Sequence, residues 1–503
     1  MKRENLSLEQ KILQMPSNSN LIVVYNQQGE KVRSYSTFEF VAEAKKAALF
    51  LRQRGIKKGD IVCSLLDNSF ESMVLVAGSV LNGNIYAPLN IKDSIKSLRY
   101  KLGVLRPKLV IYDEFHETKI SDEFNPIPRS QFIRERAAID ATAEEYRATH
   151  RKEDAVLILW SSGTTGIPKP IAHTPRMIFN GAQNIVDAFN ITSEFNMLVS
   201  QSLSACGGLG FYFWPSIFKG ARMVLQQGWN YNSMLKIIKQ ERINYMETVP
   251  EIARFIVEKY KTSEQISVAK DALSNLRFLV FGGSRLSKPM YNLLCAGFGL
   301  QGRIGASAGE TENFLLFALN LGKDINPLSC GKPIKLHKIK IVDELGNCLP
   351  CGSVGYIVKQ SNSLFREYFN NGRMADGFYK SGDMGYLDDK GYLFIVGRDI
   401  HSIKIKGNNY FPLYIDTIVE AQSGVLESVT CFAKNCIFTA YSQEPLHKRG
   451  IDISALNKRL CAVYPDLAGL DWHIDKVESL RHFRNSSGKI DTNLVLEHFG
   501  GKK

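Results

Sequence analysis

Short apolar runs alternating with stretches of helical periodicity constrain this chain more than any other feature in it. "FEFVAEAKKAALFLRQRG" spaces its apolar residues along one helix face and stops at Gly55. "DIVCSLL" and "LVIYD" follow with the length and content of buried strands. From Ala155 the alternation resumes in "AVLILW", "NMLVS", "ARMVLQQ" and "LRFLVFGG". Runs of this kind separated by helical patterns predict α/β layering. From about Lys338 the character shifts to strands and turns, "KIKIVDELGNCLPCGSVGYIV" and "GYLFIVGR". After Arg398, "VTCFA" and "CIFTAYS" mix with the helical "ISALNKRLCAVY", and about 100 residues suffice for a small α+β domain. The expected fold is α/β: a large N-terminal domain of several subdomains over 1–398, then a small α+β domain over 399–503. As a soft prior, 503 residues hold about three domains' worth of protein. No fixed-period repeat or low-complexity linker interrupts the chain.

Composition removes several classes. With 44% apolar and 22% charged residues the chain has an ordinary globular make-up. Its apolar runs, "MVLVAGSVL" among them, stop far short of the roughly 20 residues a membrane span needs. "MKRENLSLEQKILQMPSNSN" lacks the apolar core of a secretory signal, and "GGKK" is not a peroxisomal tripeptide, so a cytoplasmic location is expected. Nine cysteines without framework spacing fit reduced thiols, and the lone "CLPC" of Cys348 and Cys351 reads as a turn. No HExxH spacing indicates a protein-held metal. The formal charge of +13 attracts polyanions in general. Without zinc-finger spacing, an aromatic RNP-like strand or a basic reading helix, it does not point to nucleic acid. Phosphorylated cofactors, an acidic protein partner and simple solubility each account for it.

"LILWSSGTTGIPKPIAHT", Leu157 to Thr174, places hydroxyls, glycines and a lysine behind an apolar run. Backbone N–H groups, hydroxyls and an ammonium on a pliable loop make a receptacle for phosphate oxygens. A Ser/Gly-rich surface connection is the alternative. GxxxxGK followed by Ser or Thr is absent, which excludes an ordinary P-loop.

The spacing Ser161-Ser162-Gly163-Thr164-Thr165-Gly166-Ile167-Pro168-Lys169 instead resembles the signature of the adenylate-forming superfamily of acyl-CoA synthetases, nonribosomal-peptide adenylation domains and luciferases. Pro170 stands where that family usually has glycine. "LNGNIYAPLN", "FGGSRL", "AGETE", "YKSGDMG", "GRDIHSIKIKGNNYFP" and "NSSGKI" resemble its other motifs in the same order, so the resemblance covers nearly the whole chain.

The resemblance implies ATP- and Mg²⁺-dependent activation of a carboxylate as acyl-AMP, followed by transfer to a thiol. The acceptor would be CoA or the phosphopantetheine of a separate carrier protein; a relative that only binds nucleotide is the alternative of another class. Two anions must meet in the first step, so the site must neutralise charge on the transferring phosphoryl group. By resemblance, Ser162, Thr164, Thr165 and Lys169 hold the pyrophosphate end, Ser161, Gly163 and Gly166 belong to the same nucleotide-binding segment, and Gly282, Gly283 and Ser284 lie along adenine. Ala308 takes the place of an aromatic residue against adenine, beside Gly309. Thr311 would touch the α-phosphate, Glu312 would bring in Mg²⁺, and Asp383, with Arg398 beside it in the nucleotide site, would accept from both ribose hydroxyls. Lys489 would bridge carboxylate and phosphate from a last domain that swings about the hinge, where Ile400 replaces the usual Asp or Lys. Lys404 and Gly407 would then face the thiol.

Adenylation domains for amino acids carry an aspartate after residue 200 to hold the α-ammonium. "SLSACGGLGFYFWPSIF" has no acid, so the expected substrate lacks a free α-amino group. Ala205 stands near a place where many relatives carry histidine or an aromatic residue. Cys206, Gly207, Gly208 and Phe211, with Tyr245 further on, suggest an apolar slot for an acyl or aryl tail.

Overall fold

The computed structural model describes residues 7–500 apart from 121, 142–149, 162–167, 324, 366, 369–370, 374–376, 407, 445–446, 448–449 and 485–489. Two large sheets organise the first part of the chain. In the nine-stranded one, six central strands run parallel in the spatial order Ile304–Glu310, Phe278–Phe281, Tyr245–Thr248, Asn196–Leu198, Arg222–Gln226 and Ile22–Tyr25. Antiparallel strands close both edges: Leu315–Asn320 and Lys332–Pro333 at one, Lys31–Tyr35 at the other. The six-stranded sheet is parallel through Pro126–Pro128, Leu109–Tyr112, Ile61–Leu65, Ile85–Pro88 and Leu157–Ser161, and then turns back antiparallel in Lys169–His173.

Helices Thr37–Gln53, Phe70–Asn82 and Pro175–Phe189 share one core with residues from both sheets, including Val24, Met197 and Met223 from one and Tyr86 and Leu157 from the other. The first of these helices begins where its sequence pattern starts, because Ser36 and Glu39 form a reciprocal capping box. It ends before Gly55, which takes the left-handed conformation at φ +75° that other residues adopt only with strain. Residue 78 must be small, since a Cβ there would lie 2.7 Å from that of Ala47 on the neighbouring helix. A second core covers the far face of the nine-stranded sheet with helices Tyr231–Gln240, Pro250–Lys259 and Lys288–Phe298. The expected strands are present, so the α/β reading holds.

A four-stranded antiparallel sheet follows, ordered His337–Val342, Gly355–Ser361, Tyr379–Leu387 and Leu393–Arg398. Beyond it come a two-stranded ribbon (Ile403–Ile405 and Asn408–Tyr410) and a three-stranded sheet, Val425–Ala433, Cys436–Gln443 and Asp471–Lys476. With helices Pro412–Glu420 and Ile453–Val463, these make the small α+β part. The nine cysteines are all free, and Cys348 and Cys351 are exposed. Among the described residues no helix is long and apolar enough to cross a membrane.

Candidate active site

A cavity of about 870 Å³ lies where the carboxyl ends of the parallel strands face the four-stranded sheet. Open α/β sheets bind ligands at those ends because successive strands leave a crevice there as their connections diverge. The nine-stranded sheet contributes Glu247 within one strand and Val249 just after it, Gly282 and Gly283 after the next, and Ser307 to Glu312 around a third, save for Ala308. The six-stranded sheet contributes Pro88, Ser161 and Lys169. Tyr356, Ser381, Asp383, Arg398 and Ile400 close the opposite side.

The sequence stretch read as a loop through to Thr174 is a hairpin, with Ser161 paired to Lys169 and Leu157 to His173. The return strand escaped notice because two prolines flank Lys169. Ser161 and Lys169 line the cavity wall, whereas Ser162, Gly163, Thr164, Thr165 and Gly166 lie outside the described residues. His173 is fully buried and donates from Nε2 to the Thr311 carbonyl at 2.8 Å, tying the hairpin to the Thr311–Glu312 turn. Burial pushes its imidazole down to about 4.

Asp383 accepts from Arg398 Nε and from Ser381 Oγ, each at 3.1 Å. Behind it, the buried Lys359 donates from Nζ to Ser381 Oγ at 3.0 Å and to Glu310 Oε2 at 2.6 Å. Glu310–Lys359–Ser381–Asp383–Arg398 is thus one continuous relay along the wall. Burial raises the Glu310 carboxyl to about 7 against the opposing pull of Lys359. Glu312 is 8% exposed and lines the cavity beside Thr311.

Cys206, Gly207 and Phe211 line the cavity as expected of the acyl side. Gly208 and Tyr245 do not. Gly208 faces the Ser202 carbonyl, which a Cβ would approach to 2.2 Å, and Tyr245 is a core residue against Phe189, Phe195 and Tyr212. The expected apolar slot also contains an acid: Glu247 lies on the wall, with Gln201 and Ser307 bonded to its carboxyl. Sequence reasoning searched for acids after residue 200 and so passed over one 40-odd residues later. The signal available was a glutamate inside the short apolar strand "YMET".

Of the other expected residues, Ala308 is buried against Phe317, Ala318 and Leu393 rather than on the wall. Ser284 lies just outside the wall, and Lys404 is exposed away from it. Lys489 and Gly407 fall outside the described residues. The points flanking the Lys489 segment, Arg484 and Ile490, pair with each other. Arg484 also pairs with Glu251 at 3.2 Å, two residues beyond the cavity-lining Val249. Among the described residues no group of three or more His, Cys, Asp or Glu side chains forms a metal site. Glu312 with substrate phosphates still suits Mg²⁺, which is held by one or two carboxylates and phosphate oxygens.

A sequence model for the AMP-binding enzymes matches residues 13–369. The chain is 25% identical to the mitochondrial acyl-coenzyme A synthetase ACSM4 of Rattus norvegicus over 452 residues, covering 84% of this chain and 76% of that protein. It is also 25% identical to the putative acyl–CoA ligase YdaB of Bacillus subtilis (strain 168) over 434 residues, 82% of this chain and 83% of the other. The crystal structure of ATP-bound MatB from Rhodopseudomonas palustris superposes with a TM-score of 0.85 at 21% identity, covering 98% of both chains.

Proposed function

Because the chain belongs to the AMP-binding enzyme family, we propose that it is an AMP-forming acid–thiol ligase. A carboxylate oxygen of the substrate bonds to the α-phosphorus of ATP as the bond to pyrophosphate breaks. A thiol, CoA in the reading preferred here, then attacks the acyl carbon and AMP leaves. What supports this is that residues 161, 169, 282–283, 309–312, 383 and 398, far apart in sequence, line one cavity beside the acyl-side residues 206, 207 and 211.

In this reading Ser161 and Lys169 bind the pyrophosphate end with the segment between them, Thr311 meets the α-phosphate, and Asp383 accepts from the ribose hydroxyls. Glu312 holds Mg²⁺, which neutralises phosphate charge when bound. Residues 1–398 and 399–503 act as two domains, the second mobile and bringing Lys489 to the reacting oxygens. A pre-organised cation at that position contributes about 10²–10³ in rate. ATP–pyrophosphate exchange across fatty, aryl and amino acids tests the function. Exchange with non-amino acids is expected; exchange with amino acids alone overturns the substrate class, and exchange with no acid overturns adenylation. Lys489→Ala is expected to abolish adenylation while thioester formation from supplied acyl-AMP persists, and equal loss in both contradicts its role. Loading of a holo-carrier protein without any acyl-CoA would reverse the choice of acceptor.

A further inference from the structure

We propose that Glu247, with Gln201 and Ser307, determines specificity by receiving a hydrogen-bond donor, a hydroxyl or an amine, carried on the acyl or aryl part of the substrate away from its carboxylate. The inference rests on the ligase reading for the identity of the ligand as a carboxylic acid, and on geometry for the rest.

Glu247 is the third residue of the short strand Tyr245–Thr248, lines the cavity and is 2% exposed. Its Oε1 accepts from Ser307 Oγ at 3.2 Å and its Oε2 from Gln201 Nε2. Even as the neutral acid, a carboxyl keeps acceptor lone pairs beyond these two bonds, so this arrangement leaves capacity for a ligand. Among the described residues no basic side chain pairs with Glu247, and burial pushes its carboxyl well up. An acid without a counter-charge in a buried wall is unfavourable unless something polar completes it.

The surroundings are built for it. The Glu247 backbone is held at both ends: its N–H donates to the Tyr212 hydroxyl oxygen at 2.9 Å, and its carbonyl accepts from Ser200 Oγ at 2.7 Å and from the Tyr212 hydroxyl. Two glycines make the room. A Cβ on Gly282 would lie 2.5 Å from Glu247 Oε1 and 2.4 Å from Ser307 Oγ, and one on Gly207 would lie 1.7 Å from Gln201 Oε1. Gly207, read as space for an apolar tail, and Gly282, read as lying along adenine, therefore accommodate three polar side chains. Ser307 stands three residues before Glu310 on an extended strand, roughly 10 Å along it. The donor accordingly sits several bonds from a carboxylate at the Thr311 end, not on the α-carbon.

Isothermal titration of the full chain with matched acids tests this: 4-hydroxy-, 4-amino- and 4-methylbenzoate, and ω-hydroxy against ω-methyl short fatty acids. Pyrophosphate exchange is run in parallel. The wild type is expected to bind a donor-bearing acid at least about 10-fold more tightly than its methyl partner, since a site built to bond a donor rejects the analogue lacking it. Glu247→Leu is expected to erase that ratio. Glu247→Gln is expected to keep a preference for hydroxyl and lose one for amine, which separates the two donors. Gly282→Ala, which presses on the same carboxyl, provides a second variant, and thermal unfolding reports whether each one folds. Equal binding of methyl and donor-bearing acids by the wild type overturns the proposal, as does a ratio that survives Glu247→Leu. Preference without exchange sinks the ligase and leaves the donor site standing; exchange without preference does the reverse.

Discussion

His173 is enclosed by the core, with Phe314 edge-on at 5.2 Å, and its one proton is committed to the Thr311 carbonyl. Its folded pKa, pushed down to about 4, lies below the ordinary 6.5. Between those values the unfolded chain binds a proton that the folded chain refuses, so this contribution to stability is complete above pH 6.5 and is lost as pH falls towards 4. The full loss is roughly 3 kcal/mol. Urea unfolding at several pH values is expected to show that slope, and His173→Gln, which keeps a donor for Thr311, is expected to remove it. Glu310, raised to about 7, contributes in the opposite sense as pH rises from 4.5, so the difference between wild type and variant is the quantity to read. The relay behind Asp383 ties stability to nucleotide binding. Lys359→Met leaves Glu310 buried beside its lost partner and is expected to destabilise by about 3–5 kcal/mol. Adding Glu310→Gln is expected to recover most of that stability, while ATP affinity, read by calorimetry, stays reduced because Ser381 no longer has Lys359 behind it.

Asn68 shows how an element outside the cavity shapes it. It precedes helix Phe70–Asn82, donates to the Gln201 carbonyl at 2.8 Å and accepts from the Leu203 N–H at 2.8 Å, which holds the segment facing Glu247. Asn68→Ala is expected to cost about 1–3 kcal/mol of stability, because buried backbone groups lose their partner. Steady-state kinetics are expected to show a raised KM for the acid with KM for ATP little changed. At this scale the sequence was most readable. Helix Thr37–Gln53 and the strands at 61, 109, 157, 222 and 278 announce themselves through periodicity, because burial of one face or both imposes it. Lys359 was legible in principle: it occupies the third inward position of Gly355–Ser361, after Gly355 and Ile357, where a charge demands a partner. What was hidden is which distant elements meet. Nothing local in "YMET" tells that Glu247 will face Gln201 and Ser307, since strand order, not sequence neighbourhood, joins them. Ala308 was misplaced because alternation fixes that neighbouring side chains point apart, but not which of the two directions holds the cavity; Tyr245 shares a face with Glu247 but sits two residues further from the cavity end of the strand, packed against Phe189, Phe195 and Tyr212.

Across the whole molecule, the last part of the chain docks on the first through charge. Arg254 on helix Pro250–Lys259 bonds to Glu251 at 3.0 Å and, through Nε, to Glu427 at 2.9 Å; Arg484 reaches Glu427 at 2.7 Å and Glu251 at 3.2 Å. A separate fork joins Arg285 to Glu420 at 2.7 and 2.8 Å. Glu427→Ala leaves two guanidinium groups facing each other in a buried setting, and about 3–5 kcal/mol of loss is expected. In denaturant unfolding of that variant, the 399–503 part is expected to release at lower denaturant, relative to the rest of the chain, than it does in the wild type. The four-membered ring also bears on how such a chain changes over generations. Each of its charges is shared by two opposite ones, so a single exchange at any corner strands two neighbours instead of one. A lineage that altered this contact would have to replace at least a pair in step, and drift there would be slower than on the open surface a few residues away.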